Sequence, residues 1–253
     1  MPTATAPTGL IVLFLLFAPA AFCQQNLFNM PSGEITRKGR VFYQHQLNVH
    51  ERYLESKGHF VYGLGKGFEA GVNVVGKGFF FTPQWRDFYG DNPDRPSFYP
   101  FIMATTQKGF RVTDYLDLNI GFQIGANVSR RVRRNQDPAI FGFGLAVWHF
   151  AKGSRLVGGF YQSNQMFVGT GNSRGVLLGY EYKLSKRWYL MGDWISGRND
   201  AAVAVIGGMF NVSKRIQFCS GLLVPNPNTP KPLGVVLELN LLGWDLESMV
   251  QKK

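Results

Sequence analysis

The stretch LDLNIGFQIGANV, residues 116 to 128, decides the fold class of this chain. Every second position from Leu116 to Val128 is apolar, and the positions between them are polar or glycine. Because successive side chains of a β-strand point to opposite faces, a repeat of two places all the apolar side chains on one face. The stretch therefore predicts a long strand with one apolar face and one polar face.

The same alternation returns in four other segments, which begin near residues 41, 68, 176 and 235. In each segment a row of apolar side chains is accompanied by a row of amides, carboxylates and glycines. If the strands close into a barrel, one row faces the surroundings and the other faces the lumen. The polar rows, together with the acid in the segment near 190, supply twelve candidate lumen-lining residues: Gln44, Gln46, Asn48, Glu69, Asn73, Asp117, Asn119, Gln123, Glu181, Asp193, Glu238 and Asn240.

The spacing of the strands gives the architecture. Predicted strands begin near residues 40, 58, 68, 97, 114, 138, 154, 175, 187, 201, 215 and 232. Short links such as Lys66–Gly67 and Ser213–Arg215 alternate with longer polar links such as His50–Gly58 and Ser163–Arg174. A soluble β-sandwich has no reason to place its short turns at one end and its long loops at the other. The sequence therefore predicts an all-β fold, an up-and-down antiparallel transmembrane β-barrel of about twelve strands.

The amino terminus has the pattern of a secretory signal. The first 23 residues carry no charged side chain, and the apolar run Leu10–Phe17 precedes small residues that suit cleavage after residue 21 or 23. An exported barrel of this kind belongs in the bacterial outer membrane. We expect four parts: a cleaved signal peptide at 1–23, an N-terminal extension at 24–39, the barrel at 40–242 and a polar tail at 243–253.

Charge and composition limit the possible partners. The chain has 253 residues, of which 45% are hydrophobic and 17% are charged, so disorder is excluded, and the formal net charge is +11. The cations concentrate in turns and loops, above all in the run Arg130–Arg134. We expect outer-membrane lipid and lipopolysaccharide phosphates as their counter-charge, and no nucleic acid, because an exported barrel meets none. The solute and the oligomeric state stay open.

The histidines, the loop acids and the cysteine are the candidates for catalytic residues. Outer-membrane deacylases use a histidine followed by serine two positions later, and none of the four histidines has this neighbour. His50, Asp91 and Asp94 could form a protease-like group on the outer loops, but solvated loop charges are the commoner explanation. The lone mature cysteine, Cys219, is expected to pack as a small apolar residue. We therefore expect no enzyme, no cofactor and no metal.

Three motifs resemble a known group of proteins. They are Tyr62–Val74, with sequence YGLGKGFEAGVNV, then Gly192–Gly197, with sequence GDWISG, and Leu223–Asn226, with sequence LVPN. In these stretches the chain resembles the small outer-membrane transport barrels of Gram-negative bacteria, loosely the group related to the meta-pathway phenol-degradation barrels. The resemblance covers most of residues 40–242 and implies a barrel that transports a small solute. The chain departs from many such barrels in lacking a terminal aromatic residue.

The strand carboxylates leave two interpretations of the lumen open. Glu69, Asp117, Glu181, Asp193 and Glu238 could line a cation-favouring path, because rings of acids select cations. They could equally belong to an internal ion-pair network that fills a narrow lumen. The corresponding functions are a channel or transporter for passive passage of a small solute and, as the alternative, a closed structural or adhesive barrel with partner-binding outer loops. An outer-membrane hydrolase is the third possibility.

Overall fold

The computed structural model describes residues 26–51, 53–80, 101–127, 137–229 and 231–243. Each strand pairs antiparallel with its sequence neighbours, and the first strand pairs with the last, so the sheet closes into a barrel. The predicted up-and-down barrel of twelve strands is confirmed. The strands are β1 (Val41–His50), β2 (Tyr53–Gly65), β3 (Phe68–Phe80), β4 (Phe101–Arg111), β5 (Leu116–Asn127), β6 (Ala139–Ala151), β7 (Ser154–Ser163), β8 (Arg174–Lys183), β9 (Trp188–Ile195), β10 (Val203–Asn211), β11 (Ile216–Pro225) and β12 (Gly234–Leu242).

The two ends of the barrel differ in their connections. At one end, here called the turn end, each link spans only two to four residues, for example Lys66–Gly67 between β2 and β3. At the other end, the loop end, four of the five links that follow β3 span seven to eleven residues and one spans 20. The predicted separation of short turns from long loops is therefore present, with one exception.

The exception is the first link at the loop end, where the prediction of a long segment His50–Gly58 is wrong. The strand β2 already begins at Tyr53, which leaves two residues between β1 and β2. The polar residues Glu55 and Lys57 look like loop residues in the sequence. In the barrel they alternate along β2 and enter a polar lumen, where Glu55 is fully buried and accepts a hydrogen bond from Asn48. Charged side chains are therefore compatible with strand positions here.

The outside of the barrel is covered by large apolar side chains. On β5 the residues Leu118, Ile120, Phe122 and Ile124 are all exposed, and the other strands continue the same band. Such a band is what a transmembrane barrel presents to lipid. Exposed aromatic residues lie near the strand ends, namely Trp148, Tyr182 and Trp188 at the turn end and Trp194 at the loop end. Tyr189 next to Trp188 points inward and is buried, because Trp188 occupies the outward position.

A single helical turn, α1 (Gln165–Val168), lies in the link between β7 and β8 at the loop end. The side chain of Asn164 accepts a hydrogen bond from the backbone N–H of Phe167 and caps this turn. The Phe167 ring then lies 5.3 Å from the Phe141 ring, so the turn covers part of the lumen entrance. Within the part of the chain that the structure describes, no helix is long and apolar enough to cross a membrane.

The lumen is occupied by the chain itself. Residues 26–36, here called the amino-terminal segment, lie inside the barrel and come before the first strand. Leu27 and Met30 have no exposed surface. The segment belongs to the extension that was predicted at residues 24–39, whereas the predicted signal peptide and most of the polar tail lie outside the described residues.

Candidate functional site in the barrel lumen

The amino-terminal segment divides the lumen into an apolar side and a polar side. Leu27, Phe28 and Met30 pack into one cluster with inward side chains of β6 to β12. This side of the wall is apolar because the inward positions of these strands carry residues such as Phe143 and Met191. Burial of side chains of this size stabilises the segment by roughly 1.5–3 kcal/mol each. The segment therefore adheres to one half of the wall and leaves the other half uncovered.

The tip of the segment is held by one carboxylate. Oδ2 of Asp193 on β9 accepts hydrogen bonds from the backbone N–H groups of Phe28, Asn29 and Met30, at 2.9, 2.6 and 3.0 Å. Three successive N–H groups can converge on one atom because residues 27 to 30 form a tight turn, closed by the N–H of Leu27 on the Met30 carbonyl. Hydrogen bonds to a charged group are among the stronger ones in proteins. Asp193 is thus an anchor for the segment.

A second anchor lies nearer the turn end. The guanidinium of Arg155 on β7 donates to Glu34 of the segment and to Oε2 of Glu181 on β8, the latter at 2.8 Å. Arg155 and Glu181 are both almost completely buried. Removing one partner of a buried ion pair strongly destabilises the folded protein, because the other charge stays buried without compensation. This network therefore ties the segment to two strands.

A third anchor joins the segment to β3. The backbone N–H of Thr36 donates to Oε2 of Glu69 at 2.6 Å. Just beyond it, the chain leaves the lumen beside Gly63, whose N–H and carbonyl bond to Arg40 and Gly39. A Cβ atom at Gly63 would lie 2.0 Å from the carbonyl oxygen of Arg37, so only glycine permits this close approach. The segment enters the barrel at the turn end.

The uncovered half of the wall is polar and borders a cavity. Oδ1 of Asn29 accepts hydrogen bonds from Gln46 at 2.9 Å and from the ammonium of Lys57 at 2.6 Å. Asn26 donates to Oε1 of Gln44 at 2.6 Å. Between these contacts and strands β1 to β3 lies a cavity of about 100 Å³. Its lining includes Asn26, Asn29, Gln44, Gln46, Lys57, His59, Asn73, Gln123 and Lys231, and on the apolar side Phe28, Phe141 and Phe167.

The twelve sequence candidates all lie on inward-facing rows, but they fall into different groups. Gln44, Gln46, Asn73 and Gln123 line the cavity. Glu69, Glu181 and Asp193 anchor the segment, as described above. The remaining five bond to wall residues: Asn48 with Glu55, Asn119 with Gln107, Asn240 with Glu238, and Asp117 with Arg111 and His149 at the turn end.

Several functional residues escaped the sequence analysis. Arg155 and Lys57 sit at inward strand positions. Arg155 lies on the same face of β7 as Tyr161, and Lys57 lies on the same face of β2 as His59, so the period of two marks both as inward. Lys231 lies in the link before β12 and turns into the lumen, where it lies 4.0 Å from Glu55. No periodic signal marks the amino-terminal segment, because the segment forms neither a helix nor a strand and its side chains fit the shape of the lumen.

Of the three residues that could form a protease-like group on the outer loops, only His50 lies within the described residues. His50 is the last residue of β1 and is buried, with Nδ1 at 3.2 Å from the carbonyl oxygen of Pro232 and Nε2 at 3.9 Å from Glu55. It faces inward because inward and outward positions alternate along β1. Asp91 and Asp94 lie outside the described residues. Among the residues that the structure describes, no group of three metal-ligating side chains occurs.

Comparison with known proteins supports the fold. No family model matches the chain, and no curated protein matches it. Among solved structures, the porin KdgM in complex with disordered oligogalacturonate is similar with a TM-score of 0.54 at 6% sequence identity, over 80% of this chain and 98% of the porin. A FadL homologue from Pseudomonas aeruginosa has a TM-score of 0.38 at 10% identity, over 82% of this chain and 89% of the homologue.

Proposed function

We propose that this protein resides in the bacterial outer membrane and allows a small polar solute to cross it. The apolar band around the barrel supports the location, because exposed side chains such as Phe122 and Ile120 are stable against lipid and costly against water. The porin-like fold supports transport. We also propose that the chain is related to the phenol-degradation barrels, on the basis of its sequence motifs alone.

The proposal rests on the cavity beside the amino-terminal segment, which has a polar side on β1 to β3. A barrel that served only as a scaffold could be filled mainly with apolar side chains, as the half that packs against Leu27, Phe28 and Met30 is. Here the segment leaves a space against β1 to β3, which side-chain amides and lysines line on that side. In this proposal the solute enters from the loop end, occupies the cavity and continues when the segment shifts.

The way in which the segment is attached makes such a shift feasible. Backbone-to-backbone hydrogen bonds join the entering chain to the wall at Gly39, Arg40 and Gly63, at the turn end. Residues 26–36 are held to the wall by side chains, among them Asp193, Glu69 and Arg155. The segment could therefore move without breaking any strand pairing of the barrel.

The exposed cations at the loop end have a role in the same proposal. Arg174 and Arg198 lie on this end with their side chains exposed. We propose lipid and lipopolysaccharide phosphates as their partners, since anionic surfaces attract clustered basic side chains. Catalysis is not part of the proposed function.

Conductance in planar lipid bilayers tests the proposal. The refolded wild-type protein should conduct weakly, because the segment restricts the lumen, and a variant without residues 26–36 should conduct many times more. Asp193→Ala should lie between them, whereas Asp114→Ala, at an exposed turn, should match the wild type. Heat-modifiable mobility in gels verifies that each variant is folded. A folded deletion variant that neither conducts nor lets small sugars into liposomes would refute passage and leave the closed structural barrel as the function.

A further inference from the structure

A small polar patch interrupts the apolar band on the outside of the barrel. Tyr43 and His45 on β1 and Ser56 on β2 occupy outward positions, because inward and outward side chains alternate along both strands. His45 is the fifth of the ten residues of β1, so it lies about halfway between the turn end and the loop end. Its cross-strand neighbours on the outer face are Leu239 and Gly58. Tyr43, His45, Ser56 and Gly58 are here called the β1–β2 patch.

The polar side chains of the β1–β2 patch are in contact with one another. The hydroxyl of Tyr43 lies 3.1 Å from Nδ1 of His45, and Oγ of Ser56 lies 3.4 Å from Nε2 of the same ring. These contacts engage both ring nitrogens, whereas each hydroxyl group has one proton and two lone pairs for further hydrogen bonds. Lipid tails offer no hydrogen-bond partner, and polar side chains that face hydrocarbon are costly. A protein surface that covers the patch would remove this cost.

The patch also forms a shallow hollow in the outer wall. Gly58 has no side chain, and the nearest atom to a Cβ built there is the hydroxyl oxygen of Tyr43 at 4.0 Å. Phe60 lies two residues further along β2, points outward and is 48% exposed. Tyr43 and His45 are only partly exposed, so the Phe60 ring protrudes beside them. A hollow and a protruding ring therefore lie next to each other on one face of the barrel.

We propose that the β1–β2 patch is the contact surface between two copies of this chain in the membrane. A partner that covers the patch must present donors and acceptors at the same depth of its own outer wall. A second copy does so by symmetry, because a two-fold axis along the membrane normal keeps every residue at its depth. The axis sets Phe60 of each copy against the hollow at Gly58 of the other. Hydroxyl groups suit such a contact, since each can donate to one copy and accept from the other.

This mode of association follows the physics of other membrane-spanning segments. Lipid tails are as apolar as leucine, so burial of apolar surface does not drive association within the bilayer. Transmembrane helices associate instead through small residues, which permit close approach, and through hydroxyl and imidazole side chains. Gly58, Ser56 and His45 supply these residue types on a strand pair. The inference rests on the proposed location in the membrane and does not depend on the passage of a solute.

Two glycines of the outer wall form a matched pair for the test. Gly158 on β7 also faces outward, on the opposite side of the barrel, and the nearest atom to a Cβ built there is Cδ2 of Leu178 at 3.8 Å. Both positions therefore have room for a side chain. Gly58→Leu fills the hollow and should raise the dissociation constant of the dimer at least tenfold, whereas Gly158→Leu should match the wild type. Sedimentation equilibrium of the refolded proteins in mild detergent measures this constant.

His45→Leu separates a role in the interface from a role within one barrel. Leucine suits lipid at this position, so the variant should lose self-association at least tenfold and keep an unfolding midpoint no lower than that of the wild type. Unfolding at lower denaturant with unchanged self-association would assign His45 to the stability of the single barrel and overturn the proposal. If His45→Leu does not fold, the comparison of Gly58→Leu with Gly158→Leu decides.

Disulfide cross-linking in native membranes provides a readout without detergent. In a Cys219→Ala background, oxidation should link Gly58→Cys into dimers and leave Gly158→Cys monomeric. Equal linking of both positions, no linking of Gly58→Cys, or its linking only to a different protein would each overturn the proposal. A monomeric barrel whose segment deletion conducts would refute the dimer and leave passage intact. A dimer whose segment deletion does not conduct would refute passage alone.

Discussion

The backbone N–H of Asn29 and the carboxylate of Asp193 lie 2.6 Å apart, and this contact joins a segment from the start of the chain to a strand near its end. Two further N–H groups, those of Phe28 and Met30, converge on the same oxygen. The contact is therefore the point at which the filling of the lumen depends most on a single side chain.

Replacement of this carboxylate should destabilise the barrel measurably. Asp193→Ala leaves three buried N–H groups without an acceptor, and each unsatisfied buried donor costs about 1–3 kcal/mol. Because the tip can partly relax into the cavity, we expect a total loss of about 2–4 kcal/mol in the free energy of unfolding. Urea titration in lipid vesicles measures it, with Asp114→Ala as the control. A loss no larger than that of the control would show that the tip is not held by Asp193.

The charge network around Arg155 should respond in a characteristic, non-additive way. Arg155→Met leaves Glu34 and Glu181 confined without their cation, and removal of one partner of a buried pair costs about 3–5 kcal/mol. The triple variant Glu34→Gln, Arg155→Met, Glu181→Gln should recover much of this loss, since no buried charge stays uncompensated. Denaturant titrations of both proteins provide the comparison. A triple variant less stable than the single one would argue against the network.

The two faces of β5 should tolerate arginine differently. Phe122 faces outward near the middle of the strand, and Phe122→Arg should cost about 2–4 kcal/mol, as a cation does at the bilayer midplane. Gln123 faces the cavity, so Gln123→Arg should cost less, because its guanidinium can remain hydrated. The same vesicle titration ranks the two variants. The opposite ranking would mean that the lipid-facing and lumen-facing rows are exchanged.

The orientation of the barrel can be read from cysteine labelling in intact cells. In a Cys219→Ala background, Asn228→Cys lies in the link between β11 and β12 at the loop end and should react with a membrane-impermeant maleimide. Ser185→Cys, in a short link at the turn end, should not react. The same outside labelling is expected for Asp91→Cys and Asn135→Cys. Equal labelling of residues 185 and 228 would contradict the predicted topology.

The barrel itself was predictable because a repeat of two is a local property. Each strand such as Leu116–Asn127 carries its own apolar and polar rows, and the requirement that one row meets lipid applies to every strand alike. The prediction failed at the start of β2, where Glu55 and Lys57 looked like loop residues. Local polarity is ambiguous when the interior of a fold is polar, since a charged residue can then be either in a loop or in a strand.

The contacts inside the lumen could not be predicted from a local pattern. Asp193 and Phe28 are separated by 165 positions, and nothing in the sequence near either residue specifies the other. The same holds for Arg155, which meets Glu34 across 121 positions, and for Lys231, which turns inward from a link. The sequence alone determined which side chains share a face of each recognised strand, because successive side chains of a strand alternate between its two faces. Only the tertiary structure decided that Glu69, Glu181 and Asp193 anchor the amino-terminal segment and that Lys57 and Lys231 line the cavity, because those contacts exist only once the barrel has closed around the segment.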